Sequence, residues 1–444
     1  MTRIESAVKG RTFSLVMFAC VLGFVLFKRF YRDLGDIFIA IAVLGTFASA
    51  YYNFRSIKKD PIFIAFFLSL LIPVMSWINS KVQIPELAKQ SPAPFLFYDF
   101  FFFWFIAYWT QGKTVRIATI LLTYCVGILG IYLSHSPDFL AEIGRGLRGA
   151  RVDFGLVNAQ HTSLFAGFGF IASAFLLVVR LDLPLKYEAI KKSGAIVLLA
   201  FFTLVIVISQ SRQVWLGLLT CLLLAPLALK LIAPSRVSTR STILTYLVFT
   251  MMVGGLSTLD VVERRISAEQ KTINKLVDLD LESVSDSGSI GLRLHLWSEA
   301  WDWIRERPLL GSGEDARELV IVQSAELPDS VRSTFTHLHN SHVETLVSFG
   351  LVGAALVYFV LLWPPFFTAT TTSVPVKKTW KVLALVVAIF WLTVNCFESY
   401  FYAANGAYIF AVFYGVIYSF KFGQKDSATD QLAETPRKKY FCQV

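Results

Sequence analysis

Long apolar runs, separated by short polar clusters, dominate this chain. Runs long enough to cross about 30 Å of hydrocarbon recur near 12–28, 36–54, 61–79, 93–111, 116–134, 155–179, 193–209, 213–232, 242–258, 340–363, 379–397 and 403–421. They predict an all-α polytopic membrane protein with roughly twelve transmembrane helices by that length criterion. The run 155–179 is the least regular, because Asn158, Gln160 and His161 interrupt its start. One connection is long: residues 259–338 lie between the ninth and tenth runs. Within it, RISAEQKTINKLVDLDL reads as an amphipathic helix with Ile266, Ile273, Leu276, Val277 and Leu281 near helical spacing. SVSDSGS at 283–289 breaks that pattern. A second helix over about 291–307 stops at Pro308. On it Arg293, Trp297, Ala300 and Ile304 fall on one face, so an arginine heads an apolar stripe that points toward protein.

The organisation expected is therefore residues 1–258 with the first nine membrane helices, 259–338 as a partly helical loop, 339–422 with the last three helices, and 423–444 as a disordered tail. Composition agrees with the membrane reading. Of 444 residues 55% are hydrophobic and 16% charged, whereas a soluble globule carries about a quarter charged residues. The first run follows Arg3, Lys9 and Arg11 and shows no small-residue cleavage site, so it reads as an uncleaved anchor.

Charge adds an orientation. Basic residues crowd alternate short connections, among them Lys58/Lys59, Lys113/Arg116, Lys191/Lys192 and Lys377/Lys378/Lys381, and these are expected on the cytoplasmic side. Lys28, Arg29 and Arg32 depart from that rule. The long loop is acidic, with nine Lys/Arg against fifteen Asp/Glu. Both termini are thus expected in the cytoplasm and the loop outside. The net charge of +10 is a topology signal that calls for no nucleic-acid partner. Five cysteines (Cys20, Cys125, Cys221, Cys396, Cys442) have no spacing that suggests disulfides or a zinc site.

Candidate chemistry gathers at THLHNSHVE, residues 336–344, where three of the six histidines stand at the start of the tenth run. Ser341 to Glu344 has the form of a capping box, with Ser341 as the expected helix cap. His339 precedes the cap, where the positive end of a helix disfavours a protonated ring and favours the neutral imidazole that a general base needs. A metal set of His337, His339, His342 and Glu344 is a weaker alternative, since HExxH is absent. In ISQSRQVWLGLL, Arg212 stands at the junction of the seventh and eighth runs, and a charge at that depth is a functional-site hypothesis by default. Arg145, Arg148 and Arg151 crowd the outer loop before the sixth run, against the orientation rule. Together with Arg293 they form a set of guanidiniums suited to bidentate contact with phosphate oxygens.

His339-Asn340, nine residues and then Gly350-Leu-Val-Gly353 resembles the histidine signature of the O-antigen ligase family. SQSRQVWLGLL and RLHLWSEAWDWIRERPLLGSG resemble two further segments of the wider superfamily, which also holds O-antigen polymerases and bacterial O-oligosaccharyltransferases. Gly350 and Ala354 also read as ordinary small-residue helix packing, the role expected to be their main one. The resemblance implies an inverting glycosyltransferase of the Gram-negative inner membrane, active on the periplasmic face. Its donor would be a glycan on undecaprenyl diphosphate, its acceptor a sugar hydroxyl of lipid A–core, and it would need neither ATP, metal nor other cofactor. His339 would then be the base, and Arg212 and Arg293 would hold the diphosphate. Among Arg145, Arg148 and Arg151, with Arg148 or Arg151 preferred as nearer the span, one would bind substrate together with Asn340. Glu398, placed in the outer loop before the last run, would orient His339 by its sidedness. His337 and His342 would be flanking, and His161 a satisfied buried histidine.

The nearest rival is an O-oligosaccharyltransferase acting on pilin or another protein. A polymerase fits less well, because the R-x10-G spacing fails at Arg145, Arg148, Arg151 and Arg293, with Leu156, Ala159, Thr162 and Ile304 in the glycine's place. A lipid-linked glycan transporter would show paired broken helices in two halves, and no such pairing is visible.

Overall fold

The computed structural model describes residues 3–92, 101–181, 183–232, 288–371 and 376–423, with isolated positions between 240 and 267. Among the described residues every element is helical. In chain order these are α1 (Arg3–Val8), α2 (Arg11–Phe27), α3 (Arg32–Ile57), α4 (Pro61–Gln83), α5 (Phe102–Thr110), α6 (Thr114–His135), α7 (Phe139–Leu147), α8 (Ala159–Val178), α9 (Leu185–Ser209), α10 (Arg212–Ile232), α11 (Gly288–Glu306), α12 (Ala316–Val322), α13 (Asp329–Arg332), α14 (Ser341–Thr370), α15 (Lys378–Asn395) and α16 (Ala404–Tyr418). The protein is a multi-pass membrane protein. Among the described residues, eight helices are long and apolar enough to span: α3, α4, α6, α8, α9, α10, α14 and α15. Of the twelve runs expected, two fall short of that length, as α2 with 17 residues and α16 with 15. The run 93–111 is described only from Phe101 onward, as part of α5, and the run 242–258 falls almost wholly outside the described residues. The expected helix over 265–281, Cys442 and nearly all of the tail also lie outside them.

Short as it is, α16 is the centre post. Every residue of it from Asn405 to Tyr418 is buried, and α5, α6, α8, α14 and α15 pack around it. A helix apolar on all sides belongs in such a position. Polar interruptions near helix ends prove to be caps. Asn158 accepts from the amides of Gln160 and His161 at 2.8 and 3.0 Å and so starts α8. Two cations read as topology signals also have structural work. Lys381, only 2% exposed, donates to the Ala369 and Thr371 carbonyls at the end of α14, and Arg116 donates to the Trp109 carbonyl at the end of α5.

The second half of the long loop is anchored by a backbone exchange. Gly350 stands inside α14 at φ 62° and ψ −164°, a conformation that breaks the helix. The amides of Leu351 and Val352 turn to the carbonyls of Pro308 and Leu309, at 2.8 and 3.1 Å. The carbonyls of Val347 and Ser348, which those amides would otherwise have used, accept from Ser312 and Gly313 at 2.8 and 2.9 Å. The segment PLLGSG thus replaces lost helix bonds on both sides of the break, as backbone shielded from water requires. From α4, Ser76 donates to the Ser348 carbonyl at 2.6 Å and Asn79 to the Gly311 carbonyl at 2.7 Å. Gly350 is therefore more than the small packing residue expected: a Cβ there would stand 2.4 Å from the Leu309 carbonyl. Gly350→Ala adds about 1–3 kcal/mol of backbone strain, because this positive-φ extended conformation is one that only glycine adopts readily, to that clash. It should clearly lower the thermal midpoint in detergent, read by scanning fluorimetry. Gly130→Ala, where an added Cβ meets nothing within 4 Å, should leave the midpoint unchanged or higher.

Candidate functional site

Four chain segments meet at the ends of α8, α9 and α10. The first is the turn from α9 into α10, where Gln210 takes a left-handed conformation at φ 53° and lets two long helices meet almost without a loop. Arg212 is the first residue of α10. The loop before α8 is tied to this turn by three contacts: Gln210 donates to the Gly149 carbonyl at 2.9 Å, Arg151 to the Ser209 carbonyl at 3.3 Å, and Val152 to the Ile208 carbonyl at 3.3 Å. Arg293 arrives from α11, whose Leu296 and Ala300 are buried against α12 and α14 with Trp297 and Ile304 beside them, as the apolar stripe predicts.

Arg151, Arg212 and Arg293 line one cavity of about 330 Å³ with Gln160, Gln210, Ser211 and Gln213; Leu216, Ile290 and Phe397 make its apolar part. Ser211 Oγ and Gln213 Oε1 are buried with no hydrogen-bond partner among the described residues. Arg145 and Arg148 are exposed and do not line this cavity, and Arg145 lies 3.6 Å from Glu142. Of the three arginines left open by the sequence, Arg151 alone is brought to it.

The histidine segment sits beside the cavity. His339 adopts φ 53°, uncommon for a residue with a Cβ, and this turns the chain into α14. The cap of α14 is Asn340, whose Oδ1 accepts from the amides of His342 and Val343 at 3.0 and 3.2 Å. The expected cap, Ser341, instead donates to Asn395 Oδ1 at 2.7 Å and accepts from the Phe401 amide at 3.1 Å. The left-handed turn at His339 moves the helix start one residue earlier and frees Ser341 to hold the α15–α16 connection. Asn340, expected to bind substrate, thus uses its Oδ1 for capping. Glu344 does not reach back to a capping serine. It accepts from the Leu338 amide at 2.8 Å and from the Ser399 hydroxyl, joining the histidine segment to the segment that carries Glu398.

Leu338 is fully buried in the small core of the loop, and its carbonyl accepts from Trp297 Nε1 at 2.9 Å. The imidazoles on either side converge on one oxygen. His337 Nε2 and His339 Nδ1 each lie 3.1 Å from Glu398 Oε1, and the two ring centroids are 4.2 Å apart. Glu398 is 4% exposed. Burial opposes its ionisation, but the hydrogen bonds from His337 and His339 hold its carboxyl well below the usual range. An ionised carboxylate only accepts, so Nδ1 of His339 carries the proton it shares with Glu398, and in the neutral ring Nε2 keeps its lone pair. For His337 burial works against charge, yet the hydrogen bond and charge of Glu398 prevail and its pKa is raised.

Gln160 joins histidines to arginines. With its amide turned so that nitrogen faces Glu398 Oε2, its oxygen accepts from Arg293 at 3.3 Å. Tyr400, fully buried, donates to the Gln160 carbonyl at 3.2 Å and accepts from Gln213. Gln160, Gln213 and Tyr400 escape the sequence reading as site residues, although the polar letters of QSRQ and NAQH inside apolar runs are a visible signal. His342 faces elsewhere, toward the Leu392 carbonyl and Tyr358 at 3.1 and 2.9 Å. The metal set His337, His339, His342 and Glu344 is therefore scattered. The donors that do converge belong to His337, His339 and Glu398, all within 4.8 Å of one another. His161 is satisfied by Asn405 at 3.1 Å, as expected of a buried histidine.

Helical membrane architecture and a polar cavity at the helix ends define a class: a polytopic membrane protein with an arginine-lined cavity where its helices end. Residues 195–358, which include Arg212, Arg293 and His339, match the family described as O-Antigen ligase. The family is one of glycan-transferring membrane proteins with lipid-linked substrates. An uncharacterized protein of Haemophilus influenzae is 29% identical over 108 residues, which make up 24% of this chain and 26% of that protein, so the match spans about a quarter of each.

The shared carboxylate carries a pH signature. The His337–Glu398 pair stabilises the fold below the ordinary histidine value of 6.5, and that contribution is lost as pH rises through the raised pKa of His337. Glu398→Gln removes it, so the variant should melt below wild type at about pH 6, with the gap narrowing at about pH 8.5. Thermal midpoints at the two values check this.

Proposed function

We propose that the protein is an O-antigen ligase that moves a glycan from undecaprenyl diphosphate to a sugar hydroxyl of lipid A–core at the periplasmic face of the bacterial inner membrane. The observation that carries the reading is one cavity lined by Arg151, Arg212 and Arg293 and linked through Gln160 to Glu398 and His339. Guanidiniums match the planar, bidentate demands of phosphate oxygens, and the apolar wall of Leu216, Ile290 and Phe397 suits the first part of a lipid chain. In this reading His339 Nε2 takes the proton of the acceptor hydroxyl while Nδ1 stays bonded to Glu398. The acceptor oxygen attacks the anomeric carbon, and the arginines stabilise the departing diphosphate. Displacement in a single step inverts the anomeric centre, so an α-linked donor yields a β-linked product. Twelve membrane helices, the domain limits 1–258, 259–338, 339–422 and 423–444, and cytoplasmic termini complete the proposal and put the cavity on the side of the long loop.

The deciding experiment incubates purified protein with a lipid-diphosphate glycan and either lipid A–core or pilin, without nucleotide. Label on lipid A–core supports a ligase, label on pilin replaces it with a protein oligosaccharyltransferase, and label on neither removes the transferase reading. In this assay His339→Ala should lose at least about a hundredfold in rate at normal membrane expression. Arg151→Ala should lose activity while Arg148→Ala keeps it, which separates the arginine that lines the cavity from a neighbour that does not. Arg212→Lys and Arg293→Lys should both stay well below wild type, because a point charge does not reproduce the guanidinium fork.

A further inference from the structure

Two imidazole nitrogens and one carboxylate oxygen converge at the edge of the cavity, and this donor set is the one zinc prefers when a position is left open. We propose that His337, His339 and Glu398 form an inhibitory binding site for a divalent transition metal, with zinc as its ligand. The geometry is close to that of a chelate. Tetrahedral zinc with bonds of about 2.1 Å sets its ligand atoms about 3.4 Å apart; two of the three edges here, from Glu398 Oε1 to His337 Nε2 and to His339 Nδ1, are 3.1 Å. The third edge, between the two nitrogens, is no more than 4.8 Å. A rotation of either ring closes it around the ion.

The donors are also held from behind, as metal ligands are. Buried Leu338 fixes the backbone between the two histidines through Glu344 and Trp297. The Ser399 amide donates to Glu398 Oε1 at 3.1 Å, and Gln160 holds Glu398 Oε2. The Glu398 carboxylate supplies the anionic ligand. Access exists, because the side chains of His337 and His339 are 34% and 16% exposed.

Inhibition follows from tautomer chemistry and rests on the reading of His339 as the base; binding does not. An ion at Nδ1 displaces the proton shared with Glu398, and the neutral ring must then carry its hydrogen on Nε2. The lone pair that would take the acceptor proton is gone, and no covalent step is needed to lose activity.

The test uses untagged, EDTA-stripped full-length protein, equilibrium dialysis against zinc chloride, and transfer assays in EDTA and in zinc. Wild type should bind a zinc ion per chain and lose transfer in zinc, with EDTA restoring it. His337→Ala, and His337→Gln as a second variant checked by size exclusion, should transfer in EDTA yet bind zinc at least about tenfold more weakly, since loss of a mere supporting contact costs that much. Absence of stoichiometric binding by wild type, or binding by both variants with wild-type affinity, overturns the site. Zinc bound to wild type with transfer undiminished upholds the site and counts against His339 as the base.

Discussion

Backbone polar groups inside a membrane must find partners within the protein, and the break at Gly350 shows what that rule builds. Interrupting α14 strands two amides and two carbonyls, each costing about 1–3 kcal/mol if left unpaired. The segment Pro308–Gly313 supplies a partner to all four. It can do so only because Gly311 and Gly350 let two backbones approach closer than any side chain allows, with Gly311 lying against Ser348 and Phe349. The same contact holds the C-terminal end of α11 and thereby positions Arg293. A bond set needed to satisfy a broken helix thus helps to decide where Arg293 stands.

The second constraint is electrostatic. Glu398 is buried, and a buried carboxylate without partners is strongly unfavourable. Here two imidazoles, the Ser399 amide and the Gln160 amide surround it. Glu344, fully buried as well, does for the backbone what Glu398 does for the rings. It accepts from Leu338 on one segment and Ser399 on the other, with Arg317 3.8 Å away. The carboxylates divide the labour: one joins two chain segments, the other gathers the imidazoles of His337 and His339 between them.

How much of this is legible in the sequence depends on range. The apolar runs locate the long helices because span length is a local property, and Arg212, Arg293 and His339 stand out because charge and imidazole are costly where they lie. Glu398 can be placed by sidedness, but its bond to His339 spans 59 positions, and no local pattern reports that pairing. A local motif misplaces the cap by one residue, because Ser341 and Glu344 fit it while the deciding fact is the left-handed turn at His339. Gly350 reads as packing for a similar reason. The approach of Leu309 from a distant part of the chain is what distinguishes a break from a small contact. His337 reads as flanking, because two rings separated by a leucine look unrelated until the leucine is seen to be buried.

The polarity of the cavity bears on what it can hold. Three guanidiniums in one small space repel one another, and a protein tolerates that arrangement when negative charge offsets it. The polar residues that line the cavity beside the arginines are Gln160, Gln210, Ser211 and Gln213. Arg151 donates to the Ser209 carbonyl at the end of α9, and Arg293 to the amide oxygen of Gln160. Neutral acceptors of this kind aim a guanidinium without cancelling its charge. Glu398 stands one residue further out, beyond Gln160, and its oxygens already serve His337, His339, the Ser399 amide and Gln160 itself. Guanidiniums set beside the apolar wall of Leu216, Ile290 and Phe397 suit a ligand with an anionic and an apolar part, and this is the chemistry on which the proposed function rests.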